Sequence, residues 1–84
     1  MIILKVMLNL NQIKCNHLFK IKQIKTDLDP YYFKAIGIGI EDEIQVIRKA
    51  PFNGALHVRN DLGVEFAIDH QTAELIYVEE FFLP

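Results

Sequence analysis

Short apolar–polar alternations, broken every few residues by turn-forming pairs, constrain this chain more than any other feature. Ile44 and Val46 alternate with Glu43 and Gln45, Leu56 and Val58 with His57 and Arg59, and Val64, Phe66 and Ile68 with Glu65, Ala67 and Asp69. A period of two buries one face of a strand and leaves the other in water, whereas a helix with this pattern would scatter its apolar side chains around the axis. Pro51 stops the first run because it has no amide to donate to a ladder. Asn53-Gly54 reads as a hairpin tip, since both residues tolerate positive φ, and Asn60-Asp61-Leu62-Gly63 reads as a second tight turn. Asp69 to Ala73 is expected to form a turn or single helical turn, and Leu75 to Val78 the last strand.

The N-terminal half adds one strand and one helix. Phe19 and Ile21 face one way and Lys20 and Lys22 the other, until Ile24 breaks the phase, which predicts a bulge or the strand's end. Leu28-Asp29-Pro30 reads as a helix start: Asp29 caps, Pro30 fits the first helical position, and Leu28 staples onto Phe33. Gly37 ends the helix in the left-handed conformation, with Ile38 folding back onto the preceding turn. Asn9–Lys14 is expected to make one helical turn with Leu10 and Ile13 facing the core. The apolar ends, Met1–Val6 and Tyr77–Leu83, are strand-like; they pair with one another, pair between chains in a homo-oligomer, or fray.

With 84 residues the chain makes a single domain, 1–84, burying roughly 60–65% of the surface its unfolded form exposes. Hydrophobic residues at 51% and charged ones at 24% exclude a disordered polar tail. The net charge of −2 argues against a general nucleic-acid binder. Charge is nonetheless uneven: residues 1–40 carry six lysines against Asp27 and Asp29, while residues 41–84 carry Arg48, Lys49 and Arg59 against nine acids. The single cysteine fits a reducing, cytoplasmic setting. No apolar run approaches the ~20 residues of a membrane span, so no direct membrane insertion is expected. The architecture expected is all-β with one short helix: a small barrel of about five strands, capped by a helix near residues 30–36.

Chemistry is sparse. Cys15, His17, His57 and His70 are weak candidates for a transition metal, but no Cys-x-x-Cys, His-x-His or helical His-x-x-x-His spacing links them. The chain has no serine, and Gly37-Ile38-Gly39 follows a helix, where a phosphate loop would follow a strand. No enzyme activity and no cofactor are therefore expected. Tyr31 and Tyr32, adjacent in the helix, cannot both face the core, so one should be at least half exposed; with Phe52 it is a candidate partner anchor.

The pattern resembles the ferrous-iron transport protein A family (FeoA). The helix end Phe33-Lys34-Ala35-Ile36-Gly37-Ile38 is similar to the family's Leu-x-x-Leu-Gly-Leu. Ile44 to Ala55, through Arg48 and Ala50-Pro51, is similar to its Val-x-Val-x-Arg-x-Ala-Pro-x-Gly-Gly-Pro, and Ala73-Glu74-Leu75-Ile76-Tyr77-Val78 to its closing strand. The resemblance covers residues 8–78 and implies an SH3-like barrel. It also implies a non-enzymatic cytoplasmic accessory of ferrous-iron uptake, bound to a FeoB-like membrane transporter with a GTP-binding domain. The contact residues expected on that reading are Tyr31, Tyr32, Lys34, Pro51 and Phe52. Departures from the family pattern are Cys15-Asn16 and Ile40-Glu41 where it has Pro-Gly turns, and Tyr32 where a basic residue is frequent; Asn and acidic residues also make turns. Two other readings stand beside it: an SH3-like metal-sensing module related to the C-terminal domain of iron-dependent repressors, and a small homo-oligomeric RNA-binding barrel using Lys20 and Lys22.

Overall fold

Alternating β-branched and aliphatic residues build a six-stranded antiparallel ladder in the structure, a computed structural model describing residues 4–26 and 30–82. In chain order the elements are β1 (Leu4–Asn9), β2 (Leu18–Ile24), α1 (Pro30–Ala35), β3 (Glu43–Lys49), β4 (Leu56–Asn60), β5 (Glu65–Ile68), α2 (His70–Ala73) and β6 (Ile76–Phe82). The strands are ordered β1-β6-β2-β3-β4-β5. The mostly-β class and the short helix match the expectation. The count is six because the two ends pair with each other, from Leu4 opposite Phe82 to Asn9 opposite Tyr77. That pairing also carries the last strand beyond the expected Val78.

Strand β2 belongs to both halves of the ladder, bonded to β6 on one side and β3 on the other. Its pairing with β6 shifts between Ile21 and Gln23, which makes Lys22 the extra residue. This bulge is why Ile21 and Ile24, three apart, both pack on the core. Inward-facing Ile44, Val46, Leu56, Val58, Ile68, Ile76 and Val78 form one cluster with Ile21. Leu10 and Ile13 are buried as expected, but from a turn, with the Gln12 amide donating to Asn9 O, and not from a helix.

Helix α1 ends as its glycine dictates. Gly37 has φ +98°, the Ile38 amide donates to Phe33 O at 2.9 Å and the Gly37 amide to Lys34 O at 3.1 Å. This is the Schellman arrangement, with Ile38 and Phe33 both buried. The expected cap Asp29 and staple Leu28 lie outside the described residues. Downstream, Asp69 caps α2 by accepting from the Thr72 amide at 2.7 Å.

Two turns keep a left-handed backbone without glycine. Asn16, at φ +67°, donates its amide to Val46 O, and Glu41, at φ +73°, donates its own to Ile21 O, each at 2.7 Å. These are the two Xaa-Asn and Xaa-Glu turns singled out in the sequence, Cys15-Asn16 and Ile40-Glu41. The β3–β4 tip departs from expectation: the positive-φ pair is Phe52-Asn53 (+60° and +56°), one residue earlier than Asn53-Gly54. Pairing of the Ala50 amide with Ala55 O centres the loop on residues 52 and 53, and the Gly54 amide donates to Pro51 O. Gly54 is needed for space, because a Cβ there would stand 2.8 Å from that of Ala50.

Asn60 is the one buried polar side chain among the described residues. Its Oδ1 accepts from the Leu62 and Val64 amides at 3.0 Å each, which shapes the second hairpin, and its Nδ2 faces Gly37 O at 3.5 Å. On the surface, Lys22 donates to both oxygens of Glu41, and Glu65 meets Arg59 at 3.2 Å and His57 at 2.7 Å. The Lys22 hydrogen bond holds the Glu41 carboxyl below its ordinary pKa; Arg59, then His57, do the same for Glu65, and the Thr72 amide for Asp69.

Asn60→Ala strands two amide donors and should lower unfolding free energy in urea by about 1–2 kcal/mol. Phe52→Gly should raise it by about 1 kcal/mol, because a left-handed strain is relieved and the ring packs on nothing. The three depressed carboxylates bind protons more readily in the unfolded chain, so their stabilisation is present above the unfolded pKa and lost as pH falls through the folded one. Thermal scans should therefore show Tm insensitive to these groups above about pH 5 and falling below it, with a shallower fall in Glu41→Gln/Glu65→Gln.

Candidate functional site

A six-residue helix has room for one inward side chain, and in α1 Phe33 takes it. Ile38, folded back by the Schellman turn, fills the space beside it. Tyr31 and Tyr32 consequently both stay outside, 79% and 54% exposed, where at least one was expected to be half exposed. The Tyr32 ring meets the Phe33 ring edge-on with centroids 5.2 Å apart. Ile36 and Ile40, just after the helix, are exposed as well.

The two tyrosines open onto different depressions, making α1 a ridge between two grooves. Tyr31 lines a cavity of about 520 Å³ with Ile24, Thr26, Lys34, Ile38 and Ile40. Tyr32 and Ile36 line a smaller one of about 280 Å³ with Phe66, Asp69 and Thr72. The larger groove has a size suited to bulky apolar groups and a largely aliphatic wall. Its charged member, Lys34, places Nζ 3.7 Å from Asp42 Oδ2, so the ammonium is held at the rim. Lys25, beside the groove in sequence, stacks its ammonium 4.4 Å over the Tyr77 ring. Such a surface can grip a partner through aromatic and aliphatic anchors; nothing in it positions a nucleophile against a base.

Of the contact residues expected from sequence, Tyr31, Tyr32 and Lys34 stand together on α1. Pro51 and Phe52 are exposed at the β3–β4 tip and line neither cavity. That tip joins β4 at Leu56, whereas the end of α1 meets β4 at Asn60, the strand's far end. Ile24, Thr26 and Ile38 were not anticipated in the groove, because only folding brings the end of β2 beside α1. Ile40 did leave a signal: an aliphatic side chain at the expected Ile40-Glu41 turn.

The metal candidates are dispersed. Cys15 is half-buried and packs on the core, and His17 is exposed. His57 Nε2 lies 2.7 Å from Glu65, and His70 Nε2 lies 3.2 Å from Glu74 one helical turn on. Among the described residues, no three His, Cys, Asp or Glu side chains come together in a way that could hold a metal ion. No helix of the described residues is long and apolar enough to cross a membrane.

Comparison with known proteins follows the same lines. The structure is similar to an iron uptake regulatory protein (FeoA), with TM-score 0.74 and 18% identity over 92% of this chain and 99% of that one. It is also similar to a manganese-dependent transcriptional repressor (TM-score 0.73, 24% identity) and to such a repressor in complex with manganese (0.74, 25%), each over 86% of this chain. The chain spans only 40% and 35% of the length of those two repressors. These likenesses establish a shared SH3-like fold. No curated protein matches the sequence. Residues 8–80 match the FeoA domain model, and the chain belongs to that family.

Proposed function

We propose that this FeoA-domain protein is a cytoplasmic, non-enzymatic accessory of ferrous-iron uptake, acting by binding the cytoplasmic part of a FeoB-like membrane transporter. The family match over residues 8–80 supports the link to iron transport. The observation that carries the binding role is the ridge of α1, where a six-residue helix keeps both tyrosines in water beside an aliphatic groove. Exposed aromatic side chains next to a groove are the usual source of interface energy. In this reading Tyr31 and Tyr32 are the anchors, Lys34 orients the encounter, and the Ile24–Ile40 groove accepts an apolar group of the transporter. Binding then biases the transporter's conformation or nucleotide cycle by favouring the state that presents this group.

A second reading rests on the likeness to manganese-dependent repressors: a regulatory module whose docking responds to a metal ion. It requires Cys15, His17, His57 or His70 to bind metal singly or with donors from the partner. Calorimetric titration with Mn²⁺ or Fe²⁺ at fixed stoichiometry supports it; heat no greater than dilution opposes it.

The first reading is tested by titrating the protein into the isolated GTP-binding domain of its transporter, with and without guanine nucleotide. Tyr31→Ala should weaken binding roughly tenfold or more, with little loss of thermal stability because the ring is largely in solvent. An absence of binding by the parent protein in every nucleotide state would overturn the reading.

A further inference from the structure

The β3–β4 tip carries a combination of strain, exposure and charge that the α1 ridge does not use. Phe52 is 99% exposed and stands at φ +60°, so an aromatic ring is kept in water on a backbone conformation that disfavours bulky residues. Both features are unfavourable for the isolated protein, and strain of this kind gathers where a side chain is presented to a ligand. Asn53 beside it is left-handed too, and Gly54 leaves the space that closes the loop this tightly.

The base of this tip is basic. Arg48 and Lys49 are exposed at the end of β3, and Lys49 Nζ donates to Asn11 O at 3.0 Å and Ile13 O at 2.6 Å. Those bonds bring the turn ending in exposed Lys14 against the hairpin. The two stretches that meet here, residues 1–26 and 44–60, contain no Asp or Glu. Of the neighbouring carboxylates, Glu65 is paired with Arg59 and His57, while Asp69, following the residue paired with Leu56, caps α2 through the Thr72 amide and keeps its charge. Neither of the two grooves beside α1 includes Phe52.

A protein partner would need a pocket cut for this ring and acids set opposite Lys14 and Arg48. An anionic lipid surface needs no shape complementarity: a ring on a narrow loop rests at headgroup depth while basic side chains meet the surface charge. We infer that the Pro51–Gly54 tip is a membrane-surface contact, with Phe52 among the headgroups of an anionic leaflet and Lys14 and Arg48 facing its charge, while Lys49 holds the Lys14 turn against the hairpin. The contact is interfacial and involves no spanning segment. It stands apart from the transporter reading, since a protein-free bilayer suffices to test it.

The test is co-sedimentation of the full chain with vesicles of phosphatidylcholine alone or with about one-third phosphatidylglycerol, at about 25 and 250 mM salt. The expected result is binding to the anionic vesicles only, weakened roughly tenfold at the higher salt and roughly fivefold or more by Phe52→Gly. Lys14→Glu/Arg48→Glu should abolish it. Phe52→Gly removes strain and leaves the core intact, so a melting curve at or above that of the parent shows that lost binding is not lost folding. The inference is overturned if the parent protein fails to bind anionic vesicles, binds both lipids alike, or binds equally well as Phe52→Gly. It is also overturned if Phe52→Gly spares vesicle binding and weakens binding to the transporter's GTP-binding domain, which would assign the tip to a protein interface.

Discussion

Strand β2 is flanked on both sides at Ile21, and the rest of the barrel is arranged around that fact. On one side it sits opposite Val78 of β6; on the other its amide donates to Asp42 O and its carbonyl accepts from the Glu41 amide. Its side chain is buried in the cluster shared by both halves of the ladder. A strand paired on both edges cannot slip by one residue without turning its apolar set outward. That locked strand sets where the chain leaves for α1 and where it returns as the Glu41 turn, so the position of the tyrosine ridge follows from a hydrogen-bond register several residues away.

The Glu41 turn also shows how little a local preference matters once both its ends are tied. Left-handed backbone is easiest for glycine, yet Glu41 and Asn16 occupy it. In each case the amide of the strained residue donates to a strand carbonyl, to Ile21 O and Val46 O respectively. Glu41 gains an additional hold from Lys22 at 2.9 Å and Lys20 at 4.0 Å, both lysines lying on β2. Phe52 differs: its left-handed conformation is accompanied by no packing of the ring, which separates it from the structural turns and makes it the exposed feature that stability alone does not account for.

Much of this was legible in the residues. Alternation placed β3, β4 and β5; Gly37 ended α1 with Ile38 folded back; Asp69 marked α2; and the series from Phe33 to Val78 carried the family resemblance. The misplacements have common physical causes. Asn53-Gly54 is the stronger turn pair by local preference, but the pairing of Ala50 with Ala55 moved the bend to Phe52-Asn53. The tyrosine expectation was met but incomplete: helical geometry forces one of two adjacent tyrosines outward, and only the packing of Phe33 and Ile38 on the inner side keeps the other out as well.

What the linear order of residues determined is therefore the set of strands, their inward faces and the stops between them, because periodicity and turn chemistry act over a few neighbours. What only the folded molecule decided is which of these surfaces meet. Leu4–Asn9 lies against Ile76–Phe82, Ile24 and Ile40 share a groove with Tyr31, and Phe52 stands clear of both cavities. Those outcomes depend on hydrogen-bond register and on competition for core space between residues far apart in the chain, and no local pattern encodes either.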